Sequence, residues 1–413
     1  YICIIFLRFV KISIINLKGQ VLGKQLFSVD DARRHARKRL PRMMFDFIDG
    51  SSGDETLCGL NSAAIDEIRL MPRVLVDVSE RSLSSSILGL ETGLPFGIAP
   101  MGMCGLAWPG ADRDLAIEAA RRRMPLCVST ASSMTLEQIN EIAEGHAWFQ
   151  LYADQSGDFV NELVDRAAAA AYDVLILTVD VPIPSVRLRD LRNGFAFPMR
   201  WGLQQLWDFA SHPHWSMATL AHALRNGMPR PMNYATSSNN TTFVRNASRA
   251  QANWSFLATL RDRWHGKLVV KGVQHSDDAI RIKSMGADAI YVSNHGGRQL
   301  NAAPPAIESL LEIKQAVGPT MPLIFDSGVR NGEHVVKALA TGADFVMLGR
   351  SAMYGLGAGG GTGLSDVIDM ISRETSAVMG LIGQQRPNMI DETCLANHAS
   401  NLPNNVMSGR AAE

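Results

Sequence analysis

From residue 95 onward the chain keeps one rhythm: a short apolar run ends in a polar residue, and an amphipathic stretch follows. The runs are Phe96–Met101, Leu126–Ser129, Trp148–Tyr152, Val174–Asp180, Leu268–Lys271, Ala289–His295, Leu323–Asp326 and Phe345–Arg350. Runs this short and this continuously apolar read as parallel strands buried on both faces. The stretches between them, such as Asp112–Arg123, Asp158–Ala171 and Ser276–Met285, read as helices. Gly-Ala-Asp at 286–288 and 342–344 supplies a helix stop just before the next strand. The last residues of the runs are separated by 28, 23, 28, 91, 24, 31 and 24 positions. Six of these gaps fall in one narrow band, so the pattern predicts eight repeated β-α units. That is an α/β chain of the (β/α)8 TIM-barrel class, with its site at the C-terminal strand ends. The rival, a doubly wound sheet, expects a glycine fingerprint after its first strand. The stretch from Ala99 to Gly105 is a poor one.

The wide gap marks a long insertion after strand four, about 194–253. It is rich in aromatic residues and holds Arg200, Arg225, Arg230, Arg245 and Arg249 against one acid, Asp208. Such a loop suits a membrane interface, or a lid or oligomer contact packed on its own barrel; both readings stand. Tyr1–Leu17 is apolar but interrupted by Arg8 and Lys11, and it falls short of the ~20 residues that span a bilayer. An extension outside the fold, a membrane-surface segment and an export signal remain open for it. The globular pattern begins near Phe27, where Ser28 or Asp30 could cap an N-terminal helix running through Leu40. The expected organisation is an extension over 1–26, the barrel over 27–385 and a tail over 386–413.

Composition narrows the function class. Forty Lys and Arg balance forty Asp and Glu among 413 residues, and charged residues make up 19%. This excludes a disordered polyelectrolyte and argues against a nucleic-acid binder acting through bulk charge. The five cysteines, at 3, 58, 104, 127 and 394, form no C-x-x-C pair. They signal neither a zinc site nor a disulfide framework and fit a reducing compartment, the cytoplasm.

The candidate chemistry lies at the strand ends: Ser129, Gln150, Tyr152, Thr178, Asp180, Lys271, His295, Asp326 and Arg350, with Arg187 and Arg298 just beyond two of them. One such residue is usually structural. Nine on one rim would cost stability unless they bound something polar. In Ser293-Asn294-His295-Gly296-Gly297-Arg298, His295 can act as a base and Arg298 can fork onto a carboxylate. That pair suits removal of a proton or hydride alpha to a carboxylate. The glycine-rich turns Asp326–Arg330 and Leu348–Arg350 follow the last two strands, where barrels commonly bind phosphate. Lys271 could face an anionic cofactor ring, form a Schiff base, or cap the barrel.

At these residues the sequence resembles the FMN-dependent 2-hydroxy-acid oxidases and dehydrogenases, including glycolate oxidase and L-lactate and L-mandelate dehydrogenases. The resemblance rests on SNHGGRQ at 293–299, IAP at 98–100, FQLY at 149–152, LTVD at 177–180, VKG at 270–272, DSGVRNG at 326–332 and LGR at 348–350. The insertion, with Trp108-Pro109 and His212–Trp215, looks most like the membrane-associated bacterial members. The resemblance implies FMN lined by Pro100, Met101, Gly102, Ser129, Gln150 and Thr178, with Ser293 nearby. It implies Lys271 at the ring's N1–O2 side, and Asp326, Gly328, Arg330, Gly349 and Arg350 on ribityl and phosphate. His295 would be the base, with Asp180 orienting it and raising its pKa. Tyr152, Arg187 and Arg298 would bind the substrate.

Three departures stand out. Phe47 occupies the place of a carboxylate-binding tyrosine and cannot donate that bond. Asn301 replaces an aspartate, and Gly102 replaces a frequent alanine, leaving room beside the ring. The implied activity is oxidation of a lactate- or mandelate-like L-2-hydroxy acid. Electrons would pass to a quinone or other respiratory acceptor, from a homotetramer in peripheral contact with the inner face of the cell membrane. The alternatives are an oxygen-using oxidase, a flavin-free Schiff-base lyase built on Lys271, and a degenerate barrel kept for binding.

Overall fold

The computed structural model describes residues 26–153, 157–195, 202–238, 243–244 and 248–396. The apolar extension before 26, parts of the insertion and the tail after 396 lie outside the described residues. Three helices lead in: α1 (Val29–Arg39), α2 (Arg42–Asp49) and α3 (Thr56–Glu67). Ser28 caps α1 by accepting the Asp31 N–H at 3.0 Å. Asp30 and Asp31 in its first turn and Arg37, Lys38 and Arg39 in its last complement the helix dipole.

A hairpin of β1 (Ser85–Ile87) and β2 (Leu90–Thr92) precedes the barrel, and its Ile87, Leu88 and Leu90 pack on the barrel interior. The barrel strands are β3 (Phe96–Met101), β4 (Leu126–Ser129), β5 (Ala147–Tyr152), β6 (Val174–Thr178), β7 (Lys267–Val273), β8 (Ala289–Val292), β9 (Leu323–Phe325) and β10 (Phe345–Leu348). Every neighbour pair is parallel, and β10 closes on β3, so the expected eight-stranded barrel is present. The helices after the strands include α4 (Ala111–Arg122), α5 (Leu136–Ile142) and α6 (Gly157–Ala169). After β6 come α7 (Leu188–Arg192), then α8 (Leu203–Ala210), α9 (Pro213–Asn226) and α10 (Met232–Ala235) of the insertion, and α11 (Trp254–Arg263). They continue with α12 (Ser276–Ser284), α13 (Ala306–Val317), α14 (Gly332–Ala340) and α15 (Arg350–Leu381), the last interrupted by non-helical Gly360.

Side-chain alternation builds the site. Cys127, Trp148, Ile176, Val269, Tyr291 and Ile324 point into the barrel, while neighbours such as Phe149, Leu177, Val270 and Phe325 pack outward on the helices. Two positions after each inward residue come Ser129, Gln150, Thr178, Lys271, Ser293 and Asp326. Period two therefore sends this polar set into the top layer of the same interior.

Several expected strand ends are shorter in fact. β8 stops at Val292, and His295 sits in a turn with φ +59°. Gly296 and Gly297 follow with φ +65° and +77°, which turns the backbone out of the ladder. Asp180 lies two residues beyond β6, Asp326 one beyond β9, and Arg350 opens α15 rather than closing β10. Packing also continues past 385: Leu395 pairs with Leu70 and Cys394 is buried.

The insertion divides between the two readings. Trp215 and Tyr234 are buried, and Trp215 Nε1 donates to the Ala107 carbonyl at 3.1 Å. Asp208 turns inward and accepts the Arg42 and Met43 N–H groups at 2.9 and 3.1 Å, capping α2, whose own N-cap is a proline. Leu203 and Trp207 on α8, with Met217, Leu220 and Leu224 on α9, are exposed. Their spacings of four, three and four residues put each set on one helix face. No helix among the described residues is long and apolar enough to cross a membrane.

Candidate active site

At the mouth of the barrel one cavity is lined by Pro100, Met101, Gly102, Ser129, Tyr152, Arg187, Lys271, His295, Arg298, Asp326, Gly328, Arg330, Gly349 and Arg350. Most of the residues expected at the site therefore meet there. Asp180, Gln150, Thr178 and Ser293 stand behind its wall. Phe47, Phe243 and Arg249 also line it.

His295 Nδ1 lies 3.1 and 3.2 Å from the two carboxylate oxygens of Asp180. Nε2 is left as the nitrogen available to a ligand. Asp180 can come this close because the neighbouring backbone carries no side chain: a Cβ on Gly272, at φ +100°, would stand 2.5 Å from Asp180 Cβ. Asp180 does act to raise the imidazole pKa, but it does not set the net direction in the resting site. Burial is the larger influence and holds His295 below its ordinary value; Asp180 opposes it, while Lys271 and Arg187 add to the lowering. The resting imidazole is thus neutral at neutral pH and able to accept a proton.

Lys271 Nζ bonds Ser293 Oγ at 2.7 Å, pairs with Asp326 at 3.1 Å and lies over the Tyr291 ring, 4.6 Å from its centroid. Burial alone would lower its pKa, but Asp326 and Asp180 outweigh it and the net shift is upward. Asp326 also accepts from Ser293 Oγ at 2.5 Å and Ser327 Oγ at 2.8 Å. Lys271 is therefore a fixed ammonium, the wrong protonation state for a Schiff-base nucleophile.

The guanidinium groups do more than the sequence implies. Arg298 donates to the carbonyls of Phe47, Ile48 and Gly50 at 3.0, 3.3 and 2.6 Å. Arg350 donates to Ile48 and Gly50 at 3.3 and 3.2 Å and to Cys58 Sγ at 3.1 Å. Both thus clamp the C-terminal end of α2, where cations are favoured. Phe47 stacks on Phe195 with ring centroids 4.7 Å apart, and the Arg298 guanidinium stands 5.6 Å from its ring centre. Arg330 is half-buried, and desolvation and the neighbouring Arg350 lower its pKa. An anion between these two cations would relieve both effects. A Cβ on Gly349 would meet nothing within 4 Å, so the turn opens into the cavity.

Two buried atoms next to the cavity test the cofactor. Gln150 Nε2 and Thr178 Oγ1 have no hydrogen-bond partner among the described residues, and unpaired buried donors are costly. A flat heterocycle with a polar edge would satisfy them, and a phosphate would sit with Arg330 and Arg350. The residues fit FMN. The two other departures have defined surroundings. A Cβ on Gly102 would face Ala131 Cβ at 3.1 Å and Ser129 Oγ at 3.5 Å, so the spared room borders the end of β4. Asn301 accepts the Leu57 N–H at 3.2 Å and donates to Asp54 at 2.5 Å, tying its loop to α3.

Sequence reasoning missed the roles of Gly272, of Phe243 and of Arg249, which it counted only as part of the insertion's basic character. It also missed an amide clasp beneath the His295 turn: Asn61 and Asn294 exchange hydrogen bonds at 3.0 and 2.7 Å. Only the VKG motif carried a signal for any of these.

Residues 36–397 match the model of the FMN-dependent dehydrogenases. The chain is 38% identical to (S)-mandelate dehydrogenase from Pseudomonas putida over 367 residues, 88% of this chain and 92% of that protein. It is 36% identical to L-lactate dehydrogenase from Caulobacter sp. (strain K31), over 89% of this chain and 98% of that one. The crystal structure of a monotopic membrane protein, (S)-mandelate dehydrogenase, superposes with a TM-score of 0.85 at 37% identity, covering 91% of this chain and 100% of the other.

Proposed function

The chain belongs to the FMN-dependent dehydrogenase family, and from that premise we propose that it oxidises an L-2-hydroxy acid, lactate- or mandelate-like, to the 2-oxo acid and passes the electrons to a membrane quinone. The observation that carries this reading is the half-buried His295–Asp180 pair opening on the same cavity as Lys271 and Arg187. When bound, FMN supplies the acceptor for the electron pair leaving the substrate α-carbon.

The chain's own residues do the rest. Arg187 and Arg298 hold the carboxylate, both lining the cavity that His295 faces. Tyr152 donates to the substrate hydroxyl or carboxylate. His295 Nε2 takes a proton from the substrate, and the Asp180 carboxylate stabilises the imidazolium that results. With FMN in place, the Lys271 ammonium, held by Asp326, would supply positive charge at the flavin edge. Pro100, Met101, Gly102 and Ser129 would border the ring, with Gln150, Thr178 and Ser293 behind them. Asp326, Gly328, Arg330, Gly349 and Arg350 would hold the ribityl chain and phosphate. Phe47 lends the substrate pocket an apolar wall, which favours a bulky apolar side chain over the methyl of lactate.

The exposed apolar faces of α8 and α9, with the insertion's acid turned inward, support docking on the cytoplasmic membrane surface and hence a quinone acceptor. Assembly as a homotetramer is part of the same reading, tested by light scattering in detergent. The deciding experiment mixes purified protein anaerobically with a panel of 2-hydroxy acids, then with oxygen or a soluble quinone. Flavin bleaching by an aromatic L-2-hydroxy acid and fast reoxidation by the quinone alone is expected. No bleaching by any member would overturn the reaction, and fast reoxidation by oxygen would overturn the acceptor. His295→Ala is expected to retain the yellow flavin spectrum and lose most turnover; normal turnover would place the base elsewhere.

A further inference from the structure

Among the described residues, the inserted segment sends the charged side chain of Arg249 back into the cavity. Arg249 is 7% exposed, and its guanidinium carbon stands 4.3 Å from the centre of the Tyr152 ring. Its backbone is pinned in place: the Arg249 N–H donates to the Pro182 carbonyl at 2.9 Å, and Ser248 Oγ donates to the same oxygen at 3.2 Å. Pro182 lies between Asp180 and Arg187, so the end of the insertion is fastened to the loop that carries both. Tyr152 closes β5, and both side chains line the cavity.

We propose that Arg249 is a positioning residue for the reaction: stacked on the Tyr152 ring, it fixes the phenol toward the substrate and makes that phenol a better donor, so the insertion is part of the active site. A cation over an aromatic face restricts the ring and withdraws electron density from it. The surrounding charges agree. Burial raises the Tyr152 pKa and Asp180 adds to the raising; the strongest opposing influence is Arg249, ahead of Lys271 and Arg187. A planar guanidinium suits this stack better than an ammonium. The proposal rests on the reading of Tyr152 as a substrate-facing donor.

The test is a double-mutant cycle on the flavin-loaded full chain, reading flavin content and the kinetics of anaerobic flavin reduction by (S)-mandelate. Arg249→Met is expected to lower kcat/KM about tenfold with flavin content unchanged, and Arg249→Lys to recover part of that loss. In a Tyr152→Phe background the Met substitution is expected to change kcat/KM less than about twofold, because the group it acts through is gone. The same loss in both backgrounds, or no loss in the wild-type background, overturns the proposal. If the Met variant does not hold flavin, the cycle is run with Arg249→Lys, where a partial loss confined to the Tyr152 background supports the proposal and an equal loss in both overturns it. Tyr152→Phe with unchanged kinetics would remove the role assigned to Tyr152, and this proposal with it. An impaired Tyr152→Phe with additive Arg249 effects removes this proposal alone.

Discussion

Replacing Asp180 by asparagine removes the charge behind His295 while keeping an oxygen that can accept from Nδ1. The two side chains are 3.1–3.2 Å apart and only 19% and 11% exposed, so water screens them weakly. Two unit charges about 4 Å apart at an effective dielectric near 20 attract by about 4 kcal/mol. That attraction is absent while the imidazole is neutral and develops as it takes the substrate proton. Its loss therefore falls on the transition state and corresponds to roughly a 100- to 1000-fold drop in the rate of flavin reduction. Stopped-flow reduction under anaerobic conditions measures that step alone. The pH profile supplies an independent sign. His295 must be neutral to act, so kcat/KM of the wild type falls as pH drops through an imidazole pKa lying below the ordinary value. Asp180 is an influence that raises this pKa; without it the acid limb moves to lower pH. A loss of less than about threefold, or an acid limb that moves to higher pH, would refute an electrostatic role for Asp180.

Phe47→Tyr adds a phenol on the cavity wall and is expected to lower KM for L-lactate by up to about tenfold; an unchanged or higher KM would show that position 47 does not reach the carboxylate. Gly272→Ala puts a Cβ 2.5 Å from Asp180 Cβ at a backbone φ of +100°. It is expected to cost about 1–3 kcal/mol in thermal unfolding and to slow flavin reduction, whereas unchanged melting with normal reduction would show that the strand yields freely. Leu220→Glu with Leu224→Glu alters exposed positions on α9 and is expected to weaken sedimentation with phospholipid vesicles while leaving reduction by substrate in solution intact. Equal vesicle binding would move the membrane contact off this face.

The barrel and most of its rim were legible in the chain because both follow from short-range periodicity. Alternation within a strand dictates that Ser129, Gln150, Thr178, Lys271 and Asp326 share the interior with Cys127, Trp148, Ile176, Val269 and Ile324. The repeat length fixes how many such strands close, and the His295 turn is marked by its own glycines. What the chain could not announce depends on distant packing. The net direction of the His295 pKa is a contest between burial and Asp180, and burial is known only once the barrel has closed around the ring. Arg298 and Arg350 look like free anion binders in sequence; they brace α2 because that helix, some 250–300 positions earlier, ends its carbonyls against them. Asp208 and Arg249 read as surface charges of a long loop, yet one caps α2 and the other lies on Tyr152. Local pattern determines which residues face inward. Desolvation and pairing energies depend on which atoms fill the space opposite, and only the tertiary structure decides that.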